Sequence, residues 1–119
     1  MIIDTLTQFL TDKGYTNIHA WTKPDEDNYI YLEPDGGETD KDSVENYYVY
    51  FKYTGTSTDK KSAFIQAKEI FDCLKKANGY KYNNVKLVNI EGTIPKHSLD
   101  SASRNEYYTT LKVTAKNAW

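Results

Sequence analysis

The chain has 119 residues, of which 39% are hydrophobic, with eleven tyrosines, one cysteine and a formal net charge of −2 at neutral pH. That length fits a single domain, residues 1–119, around one core. The lone Cys73 excludes an intramolecular disulfide, and no apolar run approaches the ~18 residues that a membrane-spanning helix needs.

The small net charge hides a segregation. Residues 1–45 carry eleven acidic side chains against three basic ones, whereas residues 46–119 carry twelve basic against six acidic. Complementary patches on one small domain can meet head to tail on neighbouring copies and build rings or filaments. The competing reading is internal: an acidic loop lying over a basic surface of the same molecule. The start, Met1-Ile2-Ile3-Asp4, has no basic segment or signal-type cleavage site, so a soluble protein made in the cytoplasm is expected.

Ile2, Ile3, Leu6, Phe9 and Leu10 recur at helical spacing and Gly14 follows as a stop, which predicts a short amphipathic helix. Asn17 to Trp21 reads as a short strand and Lys23 to Asn28 as a turn. Tyr29 to Glu33 reads as a second strand ended by Pro34. Pro34 to Ser43 is polar, acidic and without periodicity, and is expected to be an exposed loop. The third strand, Val44 to Tyr53, has large side chains on both faces: Tyr47, Val49, Phe51 and Tyr53 on one, Tyr48, Tyr50 and Lys52 on the other. Such a strand is covered on both sides or meets a partner.

Thr58 or Asp59 is placed to cap a long helix from Lys60 to Asn78. Ala63, Ala67, Ile70, Leu74 and Ala77 form its core stripe, broadened by Phe64 and Phe71, and Gly79 follows as the stop. Val85 to Glu91 reads as a fourth strand, Gly92 to Ser103 as a long polar loop, and Glu106 to Ala115 as a last alternating strand. The order α-β-β-β-α-β-β predicts an α+β fold: a mainly antiparallel or mixed five-stranded sheet with two helices packed on one face.

No catalytic, cofactor or metal signature emerges. His19, His97 and Cys73 are not at ligand spacing, and Cys73 borders a helix stripe, as an inert half-buried thiol does. Asp25-Glu26-Asp27 and Asp40-Lys41-Asp42 lack the glycine that a calcium loop needs. Gly36-Gly37 lacks the Gly-Lys-Ser/Thr ending of a phosphate loop and is ringed by acids. Tyrosines interleaved with lysines, as in Tyr80-Lys81-Tyr82, could stack on single-stranded nucleic acid. The sequence pI near 5.6 argues against it. No enzyme, no cofactor, no metal, no membrane and no specific nucleic-acid partner are expected.

Several features together resemble a known family. They are the short first helix, the tyrosine-rich central strand, the long amphipathic helix and the closing segment. In that segment Val85-Lys86-Leu87-Val88-Asn89-Ile90 is followed by Pro95 and then by Arg104-Asn105-Glu106-Tyr107-Tyr108-Thr109-Thr110-Leu111-Lys112-Val113. The chain is similar to the small tail terminators of long-tailed bacteriophages, and to the related minor capsid protein family of phages and prophages of Gram-positive bacteria. The resemblance implies a structural protein of the virion at the tail or head–tail junction, made in the host bacterial cytoplasm. It implies a ring, typically of six subunits, that caps the tail tube, with the tube protein and a head completion protein as partners. The family has no fixed motif residues, so the subunit-contact candidates come from physics alone: Asp35, Glu38, Asp40 and Asp42 in the acidic loop, Tyr48, Tyr50 and Lys52 on the central strand, and Arg104 in the loop that begins near Pro95. The alternative is a small monomeric binding module, of the immunity or accessory type, that grips a basic partner through the acidic loop.

Overall fold

A computed structural model describes residues 2–39 and 44–117. Along the chain run α1 (Ile2–Asp12), β1 (Ile18–Ala20), β2 (Tyr29–Thr39), β3 (Val44–Thr54), α2 (Lys60–Leu74), β4 (Lys81–Tyr82), β5 (Val85–Glu91), β6 (Lys96–Leu99) and β7 (Asn105–Asn117). The fold is α+β, but the expected five-stranded sheet is wrong. The strands form one curled, mixed sheet of seven in the order β1-β2-β3-β7-β5-β4, with β6 also pairing with β7. Among the described residues only the β1–β2 pair is parallel.

The two extra strands come from turns with local causes. Asn83 and Asn84 both adopt positive φ, 47° and 64°, which lets a two-residue turn join β4 to β5. Asp100 closes the β6–β7 hairpin: its carboxylate accepts from the backbone N–H groups of Ala102 and Arg104 at 2.9 and 2.8 Å. The acidic stretch after Pro34 is also strand where it is described, not loop. Its register with β3 shifts between Pro34 and Gly37, and this bulge absorbs the proline. Gly37 is required there, because a Cβ would run into the carbonyl oxygen of Asn46.

Both helices contribute to one core on one face of the sheet. Ile3, Leu6 and Leu10 of α1 and Ala67, Ile70 and Leu74 of α2 are fully buried there. They join Leu32 of β2, Val49 and Phe51 of β3, Leu87 of β5, and Leu111 and Val113 of β7. Asp59 caps α2, its carboxylate accepting from the Ser62 backbone N–H at 2.9 Å and from the Ser62 hydroxyl at 2.7 Å. The helix ends at Leu74, earlier than expected, yet Ala77 stays buried. The chain beyond it is held because the Gly79 N–H donates to the Leu87 carbonyl at 2.7 Å. The 13-residue β7 spans roughly 40 Å, and the longest dimension of the described structure is 47 Å.

Candidate functional site

The face of the sheet away from the helices holds the charged and aromatic groups. β-strand alternation puts Tyr29, Tyr31 and Glu33 of β2 on it, with Tyr48, Tyr50, Lys52 and Thr54 of β3 and Glu106, Tyr108 and Lys112 of β7. The register sets Tyr31 beside Lys52 and Lys52 beside Tyr108, and Thr54 lies between Tyr29 and Glu106. At the centre Lys52 pairs with Glu106 at 2.8 Å, although the two residues are only 3% and 7% exposed. Glu106 also accepts from the hydroxyls of Thr54 and Ser98, each at 3.1 Å. The Lys52 ammonium lies 5.2 Å from the centre of the Tyr29 ring and 5.8 Å from that of Tyr31. Burial pulls the Lys52 pKa down, but Glu106 and Tyr29 outweigh it and hold it above the ordinary value.

A strap covers one end of this face. Residues 21–28 are tied to the β6–β7 turn by Arg104, whose guanidinium reaches Asp27 at 2.7 Å, Asp25 at 2.9 Å and Asp100 at 3.1 Å. These carboxylates raise the Arg104 pKa still further. Burial pushes Asp100 up, but the Arg104 backbone N–H, the Arg104 side chain and the Ala102 N–H together leave it below the usual carboxylate range. A second tie joins His19 to Glu26 at 3.1 Å. Between strap and sheet lies an open cleft of about 490 Å³, lined by Lys23, Tyr29, Lys52, Arg104 and Glu106 among others.

The two outer regions of the sheet differ in charge. Beyond Leu32, β2 has β3 on one side and no described strand on the other, and it carries Glu33, Asp35 and Glu38. From the opposite edge three lysines run inward in one cross-strand row, Lys81 of β4 beside Lys86 of β5 and Lys86 beside Lys116 of β7. Among the described residues none of the three has an acidic group within ion-pair distance.

The sequence-derived candidates therefore separate. Asp35 and Glu38 are exposed on the β2 arm, and Asp40 and Asp42 fall outside the described residues. Tyr48 is 37% exposed. Tyr50 is half-buried, with ring centres of Tyr31 and Tyr108 at 6.4 and 6.1 Å. Lys52 lies on the expected face but is buried in its pair with Glu106. Arg104 is spent on the strap. The lysine row and the Arg104 clasp were not singled out in the sequence. The Asn83-Asn84 turn could have revealed the row, because a two-residue hairpin fixes which lysines face each other. The clasp joins residues 77 and 79 positions apart, which leaves no local signal.

The remaining reactive groups are quiet. Burial raises the Cys73 thiol pKa. The ring of His97 shares a hydrogen bond with the side-chain oxygen of Asn105 at 2.8 Å. No cluster of three His, Cys, Asp or Glu groups able to hold a metal occurs among the described residues, and no described helix is long and apolar enough to cross a membrane. No protein-family model matches the sequence, and no curated protein matches it.

Proposed function

We propose that this protein is a structural subunit that assembles head to tail with copies of itself into a closed ring, in the manner of the phage tail terminators it resembles. One observation carries the reading: unpaired acid and unpaired base are presented by different parts of a single sheet. The β2 arm presents Asp35 and Glu38 at one edge, and a row of Lys81, Lys86 and Lys116 runs inward from the other edge across β4, β5 and β7. Like charges directly opposite one another across a sheet destabilise it, so the lysine row is relieved by an acidic surface from outside. The arm of a second copy is such a surface. A contact between two different patches repeats from copy to copy and closes into a ring when the rotation allows. On this reading the ring, six subunits in the resembled family, caps a tail tube and meets a head completion protein in the virion.

The test is light scattering of the purified protein over a series of protein and salt concentrations, with electron microscopy of the largest species. Rings that dissociate as salt rises are expected, because at about 1 M ionic strength charges are screened beyond roughly 3 Å. A strict monomer at high protein concentration and low salt overturns the reading. A tight one-to-one complex of such a monomer with a basic protein would favour the monomeric binding module instead.

A further inference from the structure

The lysine on the strap has no carboxylate partner among the described residues; it sits among aromatic rings. The Lys23 ammonium lies 5.5 Å from the ring centre of Tyr31 and 5.8 Å from that of Tyr50, both within cation–π range. Those two rings are inclined at 66° and so form two walls of a cage. Tyr108 packs on Tyr50, its ring tilted 31° with the centres 6.1 Å apart. We propose that this tyrosine cage is a binding site for a lysine side chain of a partner protein, and that Lys23 occupies it as an internal stand-in until the strap lifts.

Two features of the strap make exchange feasible. Its side-chain contacts run through exposed strap residues: Asp25 is 92%, Asp27 52% and Glu26 45% exposed at the side chain. Arg104, which holds two of them, is 17% exposed, but with one member of each pair in water these contacts weaken in salt. The strap is also bracketed by residues in the left-handed region, Trp21 at φ 72° and Asn28 at φ 57°. For a bulky residue such as Trp21 that backbone is strained, and strain concentrates at segments that switch.

The electrostatics favour a cation in place of Lys23. Glu33 shares the sheet face with Tyr31 two positions away, and after burial its carboxylate helps to raise the Tyr31 pKa. Asp100 and Glu106 line the adjoining cleft with Lys52 and Arg104, and these stay in place when the strap carries Lys23 and Asp25 away. Three acids, Glu33 among them, then face two bases, and one lysine from outside restores the balance. Removing Lys23 leaves the sheet beneath it intact, since its side chain is exposed and the ties of the strap run through Asp25, Asp27 and Glu26. The site needs no second copy of this chain, so it stands apart from ring assembly.

The experiment titrates Nα-acetyl-lysine amide into the full-length protein and follows the tyrosine ring resonances by NMR. Lys23→Ala is expected to bind the probe about tenfold more tightly than the parent protein, because two competing cation–π contacts are gone. The shifts should centre on Tyr31 and Tyr50. Lys23→Gln should behave like Lys23→Ala, and adding Tyr50→Leu should abolish binding while the other resonances stay dispersed. The neutral norleucine analogue should not bind. The proposal is overturned if Lys23→Ala binds no more tightly than the parent. It also fails if the shifts map elsewhere, if Tyr50→Leu retains the affinity, or if norleucine binds as well as lysine.

Discussion

Lys52 shows how far one residue can depart from its surroundings in the sequence. Its neighbours Phe51 and Tyr53 mark a core strand, and alternation puts it on the opposite face. Nothing local says that this face is buried too. The partner that makes burial tolerable, Glu106, is 54 positions away and meets Lys52 only because β3 and β7 pair. Truncating one member of a buried pair leaves the other charge uncompensated, so Lys52→Ala should cost about 3 kcal/mol in urea unfolding. The Lys52→Met, Glu106→Leu double variant should recover most of that loss, because the apolar pair strands no charge. A double variant no more stable than Lys52→Ala would show that the pair does more than satisfy its own desolvation. Tyr80 offers a second test. Its hydroxyl donates to Asp12 at 2.6 Å, which holds the carboxyl below its usual range. Burial and that same contact push Tyr80 up to about 12. A group whose pKa is raised on folding stabilises fully below its unfolded value, near 10, and loses that contribution as pH rises through about 12. Tyr15 and Tyr47, also raised to about 12, act in the same window. Absorbance titration should therefore show late-ionising tyrosines, and stability should fall above about pH 10. Tyr80→Phe should remove one late tyrosine and return Asp12 towards ordinary carboxylate behaviour, which carboxyl NMR reads directly.

The elements divide by how local their causes are. α1 and α2 were legible because an apolar stripe and a cap are written within a few turns, and Asp59 caps α2 as its position suggests. Replacing it with alanine should cost about 1 kcal/mol, measured by thermal or urea unfolding, whereas Thr58→Ala should cost little. Equal losses in both would mean that the capping carboxylate contributes nothing specific. β7 was legible from its alternation, and β3 from its run of aromatic and β-branched residues. The two short strands were not. β4 has two residues, too few for any period. β6 reads Lys-His-Ser-Leu, a polar run whose strand character comes from its pairing with β7. Pro34 and the glycines after it signal a break, and the chain does depart from regular pairing there. A bulge with Gly37 against Asn46 lets the ladder resume, so the arm projects as a strand. Missing the two short strands turned a curled seven-stranded sheet into an expected five-stranded one, and missing the bulge turned the β2 arm into an expected loop. The same gap hid the candidate surfaces, since the lysine row exists only once β4, β5 and β7 are aligned.

At the scale of the whole molecule, the charge segregation noticed in the sequence becomes a geometry. Part of the acid in the first 45 residues is internal: Asp25 and Asp27 hold Arg104. The acid on the β2 arm is not, and neither is the lysine row across β4, β5 and β7. The internal and external readings of the segregation therefore each describe a different subset of residues. This makes a sharp experiment possible. One variant carries Asp35→Lys and Glu38→Lys, so that arm and row are both basic. The other carries Lys81→Glu, Lys86→Glu and Lys116→Glu, so that both are acidic. The second keeps three like charges in the row and should fold about as well as the parent, which circular dichroism checks. Alone, each variant should remain monomeric in low salt, because every head-to-tail junction sets like charges together. Mixed, the basic arm of one meets the acidic row of the other, and the acidic arm of the second meets the basic row of the first. Every junction in a strictly alternating assembly is then matched, and light scattering should show association restored. Alternation closes only in a ring with an even number of subunits, so a hexamer forms from the mixture while an odd ring is left with one mismatched junction and stays open. Assembly of either variant alone at the level of the parent would place the subunit contact elsewhere on the surface.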